Sequence, residues 1–136
     1  MRRLYIRAVT ALPERHYLTP LFEPAAVAVI GATERAGAVG RVLIANLQAA
    51  GYRGELFAVN PKWKSVLGVP CFPAIGKVPA RVDLAVVVTP AATVPEIIEQ
   101  CGRAGVRAAV VISAGFSETG KFLISCGHTK NGRKFL

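Results

Sequence analysis

Gly31, Gly37 and Gly40, with Thr33 between the first two, follow the apolar run Val27-Ala28-Val29-Ile30 and precede a segment of helical periodicity. The chemistry open to this spacing is anion binding. Glycine lets the backbone approach an anion closely, and the free N–H groups of a helix's first turn, aided by its dipole, point at phosphate oxygens. A nucleotide-like cofactor is therefore expected over Gly31–Gly37. The turn alone does not choose among dinucleotides, flavins and nucleoside phosphates, and strand-to-helix glycine turns also occur without a ligand.

The next informative group is Asn60-Pro61-Lys62. An NAD enzyme ends the second strand of such a unit in Asp or Glu, which takes the ribose 2′-hydroxyl. Here Asn60 holds that place, and Glu55 lies at the strand's beginning. Gly31 and Gly37 are also six apart, which departs from G-x-G-x-x-G. NAD becomes the lesser reading. Arg35, Arg41, Lys62 and Lys64 fall near the same crevice and suit a ligand with several phosphates. Coenzyme A carries a pyrophosphate and a 3′-phosphate that Lys62 or Lys64 could meet, with Trp63 stacking on adenine. Solvated loop charge accounts equally well for the lysines, and cover of a sheet edge for Trp63.

These groups need a scaffold, and the alternation of short Val/Ala-rich runs with helical segments supplies one. Strands are predicted at Ala26–Ile30, Glu55–Val59, Leu84–Val88 and Ala108–Ile112. A helix over Val39–Ala50 is expected to place Val39, Val42, Leu43, Asn46, Leu47 and Ala50 on one face, with Gly51 as its stop. A second helix spans Thr93–Ala104, with Pro95 tolerated in its first turn. Residues 62–80 form a long connection with room for a short strand near Cys71–Phe72 and a helical turn near Pro73–Lys77. Right-handed crossovers then give an α/β protein, a Rossmann-like doubly wound parallel sheet in a single domain. Ligands bind such a sheet at the strands' carboxyl ends. Those exits are Gly31–Gly37, Asn60–Lys62, Thr89–Ala91 and Ser113–Phe116.

Composition narrows the alternatives. The chain has 136 residues, 52% of them apolar and 18% charged, enough for one buried core and too apolar for disorder. Every apolar run is broken well short of the roughly 20 residues needed to cross a bilayer, so no membrane span is expected. The net charge of +9 gathers at the ends: Arg2, Arg3, Arg7 and Arg15 against Glu14, then Lys121, Lys130, Arg133 and Lys134 with no acid. Residues 18–120 net only +2, which argues against nucleic acid as a general partner. Cys71, Cys101 and Cys126 are odd in number and lack close spacing, so they read as reduced thiols of a cytoplasmic protein. Residues 1–17 read as an N-terminal extension, since no secretory apolar core is present and Pro13 interrupts any targeting helix. Residues 122–136 do not continue the alternation and read as a loose, atypical tail. The domain is thus bounded at 18–121.

A longer ordered set of motifs carries a resemblance. It comprises Leu21-Phe22-Glu23-Pro24, Val27-Ala28-Val29-Ile30-Gly31-Ala32-Thr33, Gly37-Ala38-Val39-Gly40, Asn46-Leu47, Gly51-Tyr52-Arg53-Gly54 and Val59-Asn60-Pro61-Lys62. It continues through Gly68-Val69-Pro70-Cys71, Asp83-Leu84-Ala85-Val86, Pro90-Ala91 and Ser113-Ala114-Gly115-Phe116-Ser117-Glu118. Together these resemble the CoA-binding domain of ADP-forming acyl-CoA synthetases, which also opens two-part protein lysine acetyltransferases and is similar to the succinyl-CoA synthetase α subunit. The resemblance implies coenzyme A as cofactor, held with its phosphates near Gly31–Gly37. Thr33, Glu34, Arg35 and Ala36 would line the pyrophosphate and ribose beside Asn60. Lys62 would meet the nucleotide phosphates, with Lys64 as rival because the loop after Pro61 differs in length from the succinyl-CoA synthetase pattern. Thr89, Pro90 and Ala91, with Ile112, Ser113 and Ala114, would flank the adenine or the pantetheine arm.

The resemblance also implies partners. Such synthetases pass a phosphoryl group through a histidine in a later domain and finish in an ATP-grasp domain, and neither is expected here. His16 and His128 read as surface residues, and Cys71 and Cys101 as buried apolar groups. A CoA-binding module without catalysis of its own is the expectation. An NAD(P)-dependent oxidoreductase domain and a nonenzymatic nucleotide-sensing switch remain as alternatives, and the acyl substrate and any homo-oligomer stay open.

Overall fold

The computed structural model describes residues 17–113 and 124–126. Strand β1 (Ala26–Ile30) is central, with all five residues buried. On one side it pairs in parallel with β2 (Glu55–Val59), and β2 pairs in parallel with a later strand, β4 (Val69–Phe72), whose antiparallel neighbour is β3 (Ser65–Val66). On the other side β1 pairs in parallel with β5 (Leu84–Val87), which pairs in parallel with β6 (Ala108–Val111). Strand β7 (Ile124–Cys126) closes that edge antiparallel to β6. The sheet order is β3-β4-β2-β1-β5-β6-β7. The chain moves outward from β1 and then returns to lay β5 on its other flank, so the topological switch point lies between β1 and β5.

Helix α1 (Thr19–Phe22) precedes the sheet, while α2 (Val39–Ala49) and α3 (Val94–Arg103) cover its two faces. Alternation along β1 divides the core. Val27 and Val29 pack with Ile44 of α2, Ala58, Val66 and Val86, whereas Ala28 and Ile30 pack with Phe57, Val59, Val87 and the Val94 and Cys101 of α3. Ile44 is fully buried, which is worth about 1.5–3 kcal/mol by transfer alone. Phe57 and Phe72 meet edge to face with ring centroids 6.0 Å apart.

Three features differ from the sequence reading. The buried face of α2 is Gly40, Leu43, Ile44 and Leu47, whereas Val39 is 54% and Val42 47% exposed, and Asn46 and Ala50 are exposed too. The cause is Gly40: a Cβ there would lie 2.9 Å from Ala32 Cα, so the helix turns its glycine onto the backbone after β1 and the apolar stripe follows from it at helical spacing. Secondly, β3 and β4 form a hairpin where only Cys71–Phe72 was expected as strand. Leu67 (φ 49°) and Gly68 (φ 77°) both adopt the left-handed conformation that a primed two-residue turn requires. Thirdly, the sheet is not wholly parallel, because β3 and β7 are antiparallel and β7 comes from the segment read as a loose tail. Residues 1–16 of the N-terminal extension and the rest of that tail lie outside the described residues. Among the described residues no helix is long and apolar enough to cross a membrane.

Candidate ligand-binding site

The mouth of the switch point is built by Gly31 and Thr89. Gly31 (φ 93°) donates its N–H to Val59 O at 2.9 Å, and a Cβ on it would stand 2.8 Å from Thr89 Cγ2 and 3.0 Å from Val88 O. The chain then turns outward, with Thr33 Oγ1 accepting the Arg35 N–H at 3.3 Å. Gly37 (φ 76°) has open space where a side chain would stand. Helix α2 opens at Val39 behind Ala38, with no side-chain cap and no acid in its first turn. Its first N–H groups and positive dipole end are thus left for an anion. By contrast α3, whose amino end lies at the same edge of the sheet, carries Glu96 in its first turn.

Asn60 makes the second wall. Its Nδ2 donates to Ala32 O at 2.9 Å, its Oδ1 accepts the Lys62 N–H at 2.9 Å, and its own N–H reaches Phe72 O at 2.9 Å. The side chain ties the glycine turn to the end of β2 and starts the turn that presents Lys62. Lys62, Trp63 and Lys64 are exposed, and Lys64 O accepts the Cys71 N–H at 2.9 Å.

Thr89, Pro90 and Ala91 make the third wall. Thr93 closes the turn by donating both its N–H (2.9 Å) and its hydroxyl (2.8 Å) to Pro90 O. Ser113 Oγ donates to Thr89 O, which brings the ends of β5 and β6 together. Thr89 Oγ1 is buried with no hydrogen-bond partner among the described residues. It borders a cleft of about 210 Å³ between the sheet edge and α3, lined by Ile30, Val59, Asn60, Ile75, Ile97 and Gln100 among others.

The structure therefore gathers Gly31, Thr33, Glu34, Arg35, Ala36 and Gly37 in one loop, joins it through Asn60 to Lys62, and sets Thr89, Pro90 and Ala91 beside Ile112 and Ser113. Ala114 lies outside the described residues. The Glu34 carboxylate does not stand free: it accepts the Leu67 N–H at 2.6 Å and faces Arg41 Nε at 3.5 Å. A Gly31 with no room for a Cβ, an uncapped helix and a buried hydroxyl without a partner among the described residues fit a phosphate-bearing nucleotide cofactor with a flat or apolar part. Sequence reasoning missed Ile97 and Gln100, although their i, i+3 spacing marks one helix face. It also missed the hairpin turn, for which Leu67-Gly68 between two short apolar runs was the signal.

The thiols are not poised to react. Burial pushes the Cys101 thiol up to about 11, and burial also raises Cys71 despite hydrogen bonds with the Asn60 and Phe72 backbone. Among the described residues no cluster of three His, Cys, Asp or Glu side chains could hold a metal.

Comparison with known proteins points the same way. A family model described as a CoA-binding domain matches residues 25–123. The chain is 51% identical over 100 residues to an acetate–CoA ligase (ADP-forming) I of Archaeoglobus fulgidus, covering 74% of this chain and 14% of that protein. It is 38% identical over 108 residues to the α subunit of acetate–CoA ligase (ADP-forming) I of Pyrococcus furiosus, covering 76% of this chain and 23% of the subunit. Among solved structures, a dinucleotide-forming acetyl-coenzyme A synthetase 1 of Ca. Korarchaeum cryptofilum superposes with a TM-score of 0.72 at 40% identity, over 76% of this chain and 22% of that one. The chain thus spans 14–23% of the length of these relatives.

Proposed function

The chain belongs to the family of CoA-binding domains, and on that footing we propose that it holds coenzyme A at the carboxyl ends of β1, β2 and β5, with the pyrophosphate against Gly31–Gly37 and the open first turn of α2. The observation that carries this reading is the uncapped start of α2 behind a Gly31 that has no room for a side chain. Backbone groups of Thr33, Glu34, Arg35 and Ala36 line the pyrophosphate and ribose. Lys62 meets the 3′-phosphate, with Lys64 next to it. Thr89, Pro90 and Ala91, with Ile112, Ser113 and Ala114, flank the adenine or the pantetheine arm, and the apolar cleft against α3 receives the flatter of the two.

Coenzyme A, when bound, supplies a thiol that takes up an acyl group as a thioester. This chain's part is to bind and orient. Its glycine turn and helix end neutralise the pyrophosphate, its lysines add charge that NAD would not use, and Asn60 is spent inside the protein rather than on a ribose. The similarity to ADP-forming acetate–CoA ligases supports a role as the CoA-holding part of acid–CoA ligation. Further domains or a second subunit would then provide the phosphohistidine and ATP-grasp steps. Free thiols at Cys71 and Cys101 suit a reducing compartment, and we assign the protein to the cytoplasm.

Calorimetry tests the reading. Coenzyme A is expected to bind more tightly than dephospho-CoA, and Lys62→Ala to narrow the gap by about tenfold, the usual worth of one charge-assisted contact. Equal affinity for the two ligands in the unmodified protein would remove the 3′-phosphate role. Saturable NADPH binding that coenzyme A fails to displace would replace the whole assignment with a dinucleotide enzyme.

A further inference from the structure

An acid inside a phosphate-binding loop is a liability, because a carboxylate repels the ligand the loop is built for. Glu34 is the one acid between Gly31 and Gly40. Its carboxylate is committed: one oxygen accepts the Leu67 N–H at 2.6 Å and the other faces Arg41 Nε at 3.5 Å. Leu67 is the first residue of the β3–β4 turn and the one non-glycine residue with positive φ among the described residues. A leucine does not hold that conformation readily. Both of its backbone groups are gripped, the N–H by Glu34 and the carbonyl by Gln48 Nε2 at 3.1 Å.

The clasp governs what lies at the base of the hairpin. Lys62, Trp63 and Lys64 form the segment between β2 and β3, fixed at one end by the Asn60 turn and at the other by the hairpin, where Lys64 O accepts the Cys71 N–H. Holding the hairpin tip to the glycine loop therefore sets the distance between the two lysines and Gly31–Gly37. We infer that Glu34 is a positioning residue: by clasping Leu67 it places Lys62 and Lys64 across the phosphate loop and so sets the preference for a 3′-phosphorylated ligand, without its carboxylate touching that ligand. Arg41 balances the charge of Glu34 beside the phosphates. The inference rests on the coenzyme A reading.

The test uses four variants of the full chain. Glu34→Ala removes the clasp; Glu34→Gln keeps a carbonyl oxygen for the Leu67 N–H; Gln48→Ala removes the second grip. Leu67→Asn, combined with Glu34→Ala, creates the Asn-Gly pair that adopts this turn unaided. Calorimetry with coenzyme A and dephospho-CoA is read beside hydrogen exchange at the Leu67 amide. Glu34→Ala is expected to weaken coenzyme A about tenfold, with a smaller effect on dephospho-CoA and faster Leu67 exchange. Glu34→Gln stays within about threefold of the parent, Gln48→Ala falls between, and Glu34→Ala/Leu67→Asn recovers most of the loss.

A double variant as weak as Glu34→Ala would show that the carboxylate contacts the ligand directly and overturn the inference. Unchanged binding in Glu34→Ala, or equal losses for the two ligands, would also overturn it. If Glu34→Ala does not fold, the Gln variant and Gln48→Ala give the same decision through the ratio of the two affinities. Failure of the unmodified protein to bind coenzyme A would instead defeat the site assignment, and Leu67 exchange would still report whether the clasp forms.

Discussion

At the amino end of the sheet, Asp83 Oδ2 takes the Ala25 N–H at 2.9 Å, Oδ1 faces Arg107 at 3.7 Å, and its carbonyl receives the Arg107 and Ala108 N–H groups. Tyr52 Oη adds a bond to Pro24 O at 3.0 Å, and burial, reinforced by Asp83 and Glu55, holds its phenol above the usual range. At the carboxyl end of the same strands, Thr89 Oγ1 is buried without a partner among the described residues and α2 starts uncapped. The amino end spends its polar groups on joining β1, β5 and β6. The carboxyl end withholds some of them, which costs stability and leaves the candidate site its free groups.

That contrast can be broken by substitutions that separate stability from binding. The largest effect is expected at Gly31→Ala, where a positive φ and a contact of 2.8 Å combine: a loss of about 3 kcal/mol in urea unfolding and no measurable coenzyme A binding. Asp83→Ala follows, at about 1–3 kcal/mol, because it removes a charge-assisted bond from the Ala25 N–H together with the ion pair to Arg107. Its folded fraction should bind coenzyme A with parental affinity by calorimetry. A matching loss of affinity would show that the two ends are not independent. Gly37→Ala has φ 76° but open space, so about 1 kcal/mol of strain is expected, with coenzyme A weakened by less than tenfold.

The smallest effect belongs to the buried thiol of α3. Folding raises Cys101 from 9.0 to about 11, so the native state holds this proton more tightly than the unfolded chain does. Its contribution is complete below pH 9 and is lost as pH rises towards 11. Urea midpoints measured across that window should fall for the parent and fall less steeply for Cys101→Ala, in which the raised Cys71 and Tyr52 still titrate, while coenzyme A affinity at neutral pH stays the same.

The alternation of Val/Ala runs with helical segments made β1, β2, β5, β6, α2 and α3 legible to within a residue or two. The glycine spacing marked the loop, and Asn60 in place of an acid turned the reading away from NAD. What misled was one-dimensional periodicity. It put Val39 and Val42 on the buried face of α2, since nothing local says that Gly40 must lie against Ala32. The resemblance, not periodicity, assigned Glu34 to the ligand, and no local pattern shows that its carboxylate serves the Leu67 N–H, 33 positions away in the chain.

Local patterns thus determined the sheet, its helices and the place of the glycine loop, because hydrophobic period and glycine placement act over a few residues and are written there. Only the tertiary structure decided which side chains stay free for a ligand. That depends on which donors and acceptors distant segments pair once packed: the hairpin brings Leu67 to Glu34, and Thr89 Oγ1 is buried without a partner among the described residues.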